Sequence, residues 1–212
     1  MSGSKRPLVV TDCDEVLLHM LVHFREWLDE AHEVDFHLEG HDFANAMRRR
    51  GSGQPIPHDE MWALLEGFFD TEMHRQTPIS GAIEAIHTLA EEADVVVLTN
   101  IADHRREART RQLADRGLDI RVFTNQGPKG PALKAILEEY SPSRAFFIDD
   151  LAQHHASAAD MVPGIVRLHL VGEPTVAPHI PCAHEQGYAH ARIDQWDLAL
   201  SWLRERLKEE NS

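Results

Sequence analysis

Two pairs of acidic residues lie where their carboxylates could act together. Asp12 and Asp14 follow one short apolar run with a single residue between them, and Asp149 and Asp150 directly follow another. Successive side chains of an extended chain point to opposite faces, so Asp12 and Asp14 can point the same way. Carboxylates that lie close together cannot all stay ionised unless a cation neutralises them, and Mg²⁺ prefers such oxygen ligands. The four carboxylates therefore indicate a Mg²⁺ site.

Three further polar residues at the ends of other elements would suit a bound phosphoryl group. Thr99 and Asn100 end a third apolar run, and Lys129 precedes a predicted helix. If these ends converge, a hydroxyl, an amide and an ammonium group can bind phosphoryl oxygens. A carboxylate nucleophile, a proton donor and a metal ion would lie beside them. The pattern is typical of phosphoryl transfer.

The elements that must position these residues alternate between strands and helices. Near-continuous apolar runs are typical of parallel strands covered on both faces, and they occur at 8–10, 94–98, 120–123, 145–148 and 165–171. Stretches with helical periodicity lie between most of them. The alternation predicts an α/β fold with a doubly wound, mostly parallel sheet, in which ligands bind at the carboxyl ends of the strands.

One interval, 18–77, interrupts the alternation because it contains helical patterns and no convincing strand. It is too long for a simple crossover, so we expect a small helical cap inserted after the first strand. The catalytic α/β core is then discontinuous and consists of 1–17 and 78–212. Within the cap, Arg48 and Arg49 could reach over a phosphorylated substrate and set specificity, although a solvated helix end is the simpler interpretation.

The motifs resemble those of the haloacid dehalogenase (HAD) superfamily. Four stretches are similar to its four motifs, in their order: VVTDCDEVLL at 9–18, VVVLTN at 95–100, Lys129, and AFFIDD at 145–150. The resemblance covers about residues 7–172. It implies a Rossmann-like core with a helical cap in the first insertion position, and an enzyme that hydrolyses phosphoric monoesters.

The resemblance also implies a role for each polar residue. Asp12 would attack phosphorus and form an aspartyl-phosphate, while Asp14 would protonate the leaving oxygen and then deprotonate the attacking water. Mg²⁺ would be held by Asp12, the backbone carbonyl of Asp14, and the acid pair, with Asp150 the more direct ligand and Asp149 the second. Three residues would bind the phosphoryl group: Thr99, Asn100 and Lys129.

Asp14 favours a phosphatase within this family, because dehalogenases do not need a second aspartate to act as acid and base. The substrate would be a small phosphorylated metabolite, with a deoxyribonucleotidase-like or phosphoglycolate-phosphatase-like specificity. Four positions depart from the commonest family pattern: Glu15 replaces a usual Gly, Val16 the commonest Thr, Gly130 a frequent Pro, and His154 a later acid or Asn. The role of Glu15 is open at this point.

Two other functions remain as alternatives. A receiver-like phospho-acceptor domain also uses an acid pair, an acceptor aspartate, a threonine and a lysine, but in a different chain order and without a long insertion. A catalytically silent HAD-type scaffold would retain binding and lose turnover, although all core residues are present here.

Composition excludes other classes of partner. The 21 basic and 35 acidic side chains give a net charge of −14, which argues against nucleic-acid polymers and anionic membranes as partners. We find no apolar run near the roughly 20 residues that a membrane helix needs. With only two cysteines, Cys13 and Cys182, a disulfide framework is not expected, so we expect a cytoplasmic location.

Overall fold

The computed structural model describes residues 5–38 and 45–209. Within these residues there are eight strands: β1 (Leu8–Thr11), β2 (Val34–Phe36), β3 (Met47–Arg49), β4 (Asp94–Thr99), β5 (Arg121–Thr124), β6 (Ala145–Asp149), β7 (Val166–His169) and β8 (Ala191–Arg192). Six of them form one sheet in the order β5-β4-β1-β6-β7-β8, and every neighbouring pair is parallel. The predicted doubly wound α/β sheet is confirmed.

In the same described ranges, seven α-helices accompany the strands: α1 (Leu21–His32), α2 (His58–Thr71), α3 (Ala82–Glu92), α4 (Arg106–Ala114), α5 (Gly130–Tyr140), α6 (Ala152–Met161) and α7 (Trp196–Lys208). Val9 of β1 packs with α3 and α7 on one face of the sheet. Its neighbours Leu8 and Val10 pack with α5 and α6 on the other face. Both faces are therefore covered, which explains the continuous apolar run at 8–10 of the central strand β1.

The segment between β1 and α3 is only partly helical. The sequence predicts no strand there, but β2 and β3 form a short antiparallel hairpin between α1 and α2. Each strand has three residues, which is too short for the alternation of apolar and polar residues to be detected. Phe24, Met47 and Phe68 belong to an apolar cluster that joins the helices to the hairpin.

The chain enters and leaves this inserted segment side by side. Leu18 forms an antiparallel bridge with Pro78. His19 donates its backbone N–H to the carbonyl of Thr77 at 2.9 Å, and Ile79 donates to the carbonyl of Leu17 at 2.9 Å. These paired connections lie directly after β1, so the insertion adjoins the carboxyl end of the central strand.

After β7, strand β8 lies at one edge of the sheet, and α7 packs against one face of the sheet. The Trp196 indole at the start of α7 donates a hydrogen bond to the carbonyl of Val16 at 2.7 Å. This contact fixes α7 to the loop that follows β1. None of the helices in the described ranges is both long enough and apolar enough to cross a membrane.

Candidate active site

Three acidic side chains converge at the carboxyl end of the sheet. β1 and β6 are adjacent and in register, with Thr11 opposite Ile148, so the next residues, Asp12 and Asp149, emerge together. One carboxylate oxygen each from Asp12, Asp149 and Asp150 lies within 4.8 Å of the others, and all three residues are buried. The predicted meeting of the strand-end carboxylates is therefore present for these three residues.

Lys129 provides the cation at the centre of this acidic group. Its Nζ lies 2.8 Å from Oδ1 of Asp12 and 2.6 Å from Oδ2 of Asp149, and its side chain is fully buried. Burial lowers the pKa of Lys129, but the two neighbouring carboxylates outweigh burial and raise the pKa above its ordinary value. Lys129 therefore remains an ammonium group that joins the first motif to the last.

The glycine after Lys129 has a steric reason. A Cβ atom built on Gly130 would lie 2.4 Å from the backbone oxygen of Ser157 on α6, closer than any side chain allows. The Gly130 N–H also donates to the Ser157 hydroxyl at 3.0 Å. The departure from the common proline thus brings α5 against α6 and sets the position from which Lys129 reaches the carboxylates.

The charges of the site fit a divalent cation. Burial raises the pKa of Asp12 to about 7, with Lys129 opposing the rise and Asp149 and Asp14 adding to it. Burial, Asp149 and Asp12 raise the pKa of Asp150 well above its usual value. For Asp149, burial is outweighed by Lys129 and nearby histidines, and its pKa is lowered. A single ammonium cannot balance three buried carboxylates, and an oxygen-ligated divalent ion would.

Asp14 lies apart from these three carboxylates and has partners of its own. Nη2 of Arg109 donates to both Asp14 oxygens at 2.9 Å. Gln76 Nε2 donates to Asp14 Oδ1 at 2.6 Å, and the Thr99 hydroxyl lies 3.4 Å from Oδ2. Arg109 and Gln76 lie outside the motifs of the sequence and were not predicted as site residues. The ligation of a metal by the backbone carbonyl of Asp14 stays a prediction.

The two residues that end β4 differ in exposure. Thr99 is buried, whereas the exposed Asn100 is held by the loop after β5. Its Nδ2 donates to the carbonyl of Gly127 at 2.9 Å, and its Oδ1 accepts a hydrogen bond from Asn125 at 2.8 Å. Asn100 therefore has a fixed orientation at the rim of the site, and the binding of phosphoryl oxygens by Thr99 and Asn100 stays a prediction.

Two buried histidines support the backbone of the acid pair. His155 Nε2 lies 3.0 Å from the carbonyl of Asp149, and His169 Nε2 lies 2.7 Å from the carbonyl of Asp150. Since His169 Nδ1 accepts the Ala183 N–H at 3.0 Å, its proton lies on Nε2. Burial lowers the pKa of His155 to about 4 and also lowers the pKa of His169, so both rings act as neutral donors that orient the acid pair.

Glu15 has a local explanation in the backbone. Its φ is +58°, in the left-handed region that glycine adopts most easily, which accounts for the usual Gly at this position. Glu15 Oε1 accepts the N–H groups of Met20 and Leu21 at 2.9 and 2.6 Å. The side chain therefore satisfies free donors at the start of α1, and this stabilises the helix next to the site.

Arg48 and Arg49 lie on β3 and not at a helix end, so that interpretation of them was wrong. Arg48 donates to the carbonyl of Gly53 at 3.1 Å, and Arg49 forms an ion pair with Glu60 at 2.6 Å. Both side chains are exposed and bond within the inserted segment. Their contact with a substrate stays a prediction.

The buried carboxylates give a pH dependence that can be measured. The folded protein holds a proton on Asp12 with a pKa of about 7, against 3.8 for the ordinary group, and Asp150 is shifted the same way. This stabilisation is complete at low pH and is lost as the pH rises through about 7. His155 has the opposite effect on stability: at acidic pH the unfolded chain binds a proton on this histidine that the folded protein does not. This destabilisation ends above the unfolded pKa of about 6.5.

We therefore expect the melting temperature of the metal-free protein to fall between about pH 6.5 and 8.5. Added Mg²⁺ should raise it more at the higher pH, where the carboxylates have lost their protons. Thermal unfolding with EDTA or MgCl₂ checks both statements, with Asp150→Asn as the control that weakens the effect of Mg²⁺. A Mg²⁺ effect that is the same across this range would contradict the charge assignment.

Comparison with known proteins gives structural relatives only. The sequence matches no family model and no curated protein. A HAD family hydrolase from Deinococcus radiodurans with bound phosphate and sodium is similar in structure, with a TM-score of 0.65, 18% identity, and 97% of this chain and 98% of that chain covered.

Two other solved structures agree with this likeness. A haloacid dehalogenase-like hydrolase from Burkholderia xenovorans has a TM-score of 0.58 at 15% identity and covers 97% of this chain and 100% of its own. A structure described as a beta-phosphoglucomutase from Thermotoga maritima has a TM-score of 0.61 at 15% identity, with 94% and 99% covered. The likeness extends over nearly the whole chain, and the protein has the fold of the haloacid dehalogenase-like hydrolases.

Proposed function

We propose that this protein is a Mg²⁺-dependent phosphatase that hydrolyses a small phosphorylated metabolite through an aspartyl-phosphate on Asp12. The observation that carries the proposal is the position of Lys129, whose ammonium contacts both Asp12 and Asp149. The ammonium thus links Asp12, the proposed nucleophile, to Asp149 within the acidic group that is best suited to a metal. Such an arrangement serves a reaction in which negative charge develops beside a carboxylate nucleophile.

The residues of the site would have three separate roles: metal binding, phosphoryl binding and proton transfer. Asp12, Asp149 and Asp150 would hold Mg²⁺, which when bound neutralises their charge and the charge of the phosphoryl group. Thr99, Asn100 and Lys129 would bind and orient the phosphoryl oxygens. Asp14 would give a proton to the leaving oxygen and later take one from the attacking water.

Asp14 favours phosphate-ester hydrolysis over cleavage of a carbon–halogen bond. A departing halide needs no proton, whereas a departing alkoxide does. Asp14 Oδ2 lies 3.4 Å from the hydroxyl of Thr99, so a carboxyl group stands next to a proposed phosphoryl ligand. That position suits an acid that serves the leaving oxygen.

The substrate class is the finer part of the proposal. A deoxyribonucleotidase-like or phosphoglycolate-phosphatase-like specificity fits a small ester bound beneath the inserted segment. The net charge of −14 argues against nucleic-acid polymers and anionic membranes as partners. Cys13 and Cys182 are both free thiols, which is compatible with the expected cytoplasmic location.

The test is hydrolysis of p-nitrophenyl phosphate with MgCl₂ and with EDTA, followed by a panel of nucleotides, sugar phosphates and phosphoglycolate. We expect turnover that requires Mg²⁺. An aspartyl-phosphate that forms from small phosphodonors and persists for minutes would instead indicate a receiver-like domain. No turnover of any ester at saturating Mg²⁺ would indicate a silent binding scaffold and would refute the proposal.

A further inference from the structure

A buried arginine outside the four motifs contacts the proposed acid, Asp14. Arg109 on α4 is fully buried. Its Nη2 donates to both oxygens of Asp14 at 2.9 Å. Its Nη1 lies 3.1 Å from Cys13 Sγ and 3.2 Å from Gln76 Oε1. Withdrawing a guanidinium from water is costly unless a charge balances it, and Asp14 is the carboxylate that does so here.

Gln76 is the second partner that holds the same carboxylate. This buried residue lies at the end of the inserted segment, where the chain returns to the core. Its amide nitrogen donates to Asp14 Oδ1 at 2.6 Å. Its amide oxygen accepts from Arg109 and from Gln112, both at 3.2 Å. These bonds fix the orientation of the amide, so Gln76 can only donate towards Asp14.

The two oxygens of Asp14 therefore have different surroundings. Oδ1 accepts short hydrogen bonds from both Gln76 and Arg109. Oδ2 also accepts from Arg109, and among the residues that the structure describes its other contact is the Thr99 hydroxyl at 3.4 Å. Oδ1 is thus the anchored oxygen, and Oδ2 is the one whose partner is most easily exchanged for a substrate atom. It also lies on the side of a proposed phosphoryl ligand.

We propose that Arg109 is a positioning residue for this reaction: with Gln76 it anchors Oδ1 of Asp14 and so presents Oδ2 to the leaving oxygen of the substrate. The inference rests on the proposed phosphatase function and adds to it a residue outside the four motifs. A misplacement of about one ångström in such a group can reduce the rate about 10²-fold.

A positioning role predicts a dependence on the leaving group that a merely structural role would not produce. A proton donor assists a poorly leaving alkoxide much more than it assists p-nitrophenolate, which leaves well as an anion. Displacing Asp14 should therefore slow alkyl esters selectively. The parameter to compare is kcat/KM, which reports the first chemical step and is not affected by slow hydrolysis of the phosphoenzyme.

The experiment measures kcat/KM for p-nitrophenyl phosphate, phenyl phosphate and phosphoglycolate in wild type, Arg109→Gln and Arg109→Lys. We expect Arg109→Gln to reduce kcat/KM for phosphoglycolate about 10²-fold and that for p-nitrophenyl phosphate much less. Arg109→Lys keeps the charge and one donor, so it should restore part of the loss. Arg105→Gln is the control: it removes another buried arginine, which forms ion pairs with Glu66 and Asp70. It should change kcat/KM for all three esters by a similar factor.

The same substitution made in an Asp14→Asn variant distinguishes a positioning role of Arg109 from a role in folding. Asp14→Asn alone should show the same selective loss, and adding Arg109→Gln to it should cause no further selectivity because the group that Arg109 positions is already gone. If Arg109→Gln does not fold, this double variant and Arg109→Lys decide the question.

Two results would overturn the inference while the phosphatase stands: equal losses for all esters in the folded Arg109 variants, or a further selective loss in the Asp14→Asn background. A wild-type protein that hydrolyses none of the three esters with Mg²⁺ would instead refute the proposed function, and the inference with it.

Discussion

Asp12→Asn should abolish Mg²⁺-dependent turnover of every phosphate ester, with kcat/KM reduced by at least about 10⁴-fold, as expected when a covalent nucleophile is lost. The amide keeps the size of the carboxylate but cannot form a stable bond to phosphorus. The variant should remain folded, because Asn can still accept a hydrogen bond from Lys129, which lies 2.8 Å from Oδ1. Steady-state assays of p-nitrophenyl phosphate, with circular dichroism to confirm folding, measure the effect.

The matched control for this loss is Asp150→Asn. Asp150 belongs to the same acidic group, but its proposed role is to hold the metal. The activity lost in Asp150→Asn should therefore be partly restored by a higher Mg²⁺ concentration, whereas the activity lost in Asp12→Asn should not. A folded Asp12→Asn variant with more than about a hundredth of the wild-type rate would exclude Asp12 as the nucleophile.

Lys129→Met should have the largest effect on stability. The ammonium is fully buried between Asp12 and Asp149, and its removal leaves two buried carboxylates without their cation. Breaking a buried charge pair in this way destabilises a protein by about 3–5 kcal/mol. Urea unfolding followed by circular dichroism measures the change in the free energy of unfolding.

Activity should fall with stability in this variant, by about 10²–10³-fold in kcat at saturating Mg²⁺, because a cation that stabilises developing charge is lost. Lys134→Met is the control, since Lys134 is an exposed lysine on α5, the helix that Lys129 directly precedes. It should change the free energy of unfolding little. Equal effects of the two substitutions would mean that Lys129 does not balance the acidic group.

The central sheet and its three converging carboxylates could be predicted because their signals are local. Strands covered on both faces have continuous apolar runs, as at 95–98, and adjacent parallel strands end at the same edge. The order of Asp12, Lys129 and Asp149 along the chain then identified the motifs. In the structure the ends of β1 and β6 are in register, so these residues meet as expected.

The hairpin and the location of Arg48 and Arg49 could not be predicted for a different reason. Strands of three residues carry too little periodicity to distinguish them from a loop or a helix end. The antiparallel pairing of Val34 with Arg49 is a backbone contact between residues far apart along the chain, and no sequence pattern predicts it. Exposed arginines also give no pattern of burial that would identify their element.

Arg109 and Gln76 were missed as partners of Asp14 because only tertiary contacts define them. Arg109 lies in a helix with two other arginines, Arg106 and Arg111, and only packing shows that it is the buried one. His155 and His169 support the carbonyls of the acid pair from two different elements. Only the three-dimensional structure brings these side chains together.

The most direct test of the central claim is to trap the proposed phosphoenzyme. Wild type is mixed with p-nitrophenyl phosphate and Mg²⁺, quenched in acid, and treated with borohydride, which reduces an aspartyl-phosphate to homoserine; peptide mass spectrometry then locates the product. We predict homoserine at position 12 in wild type and none in Asp12→Asn. Modification at any other residue, or turnover with a burst of p-nitrophenol and no modified Asp12, would contradict the mechanism.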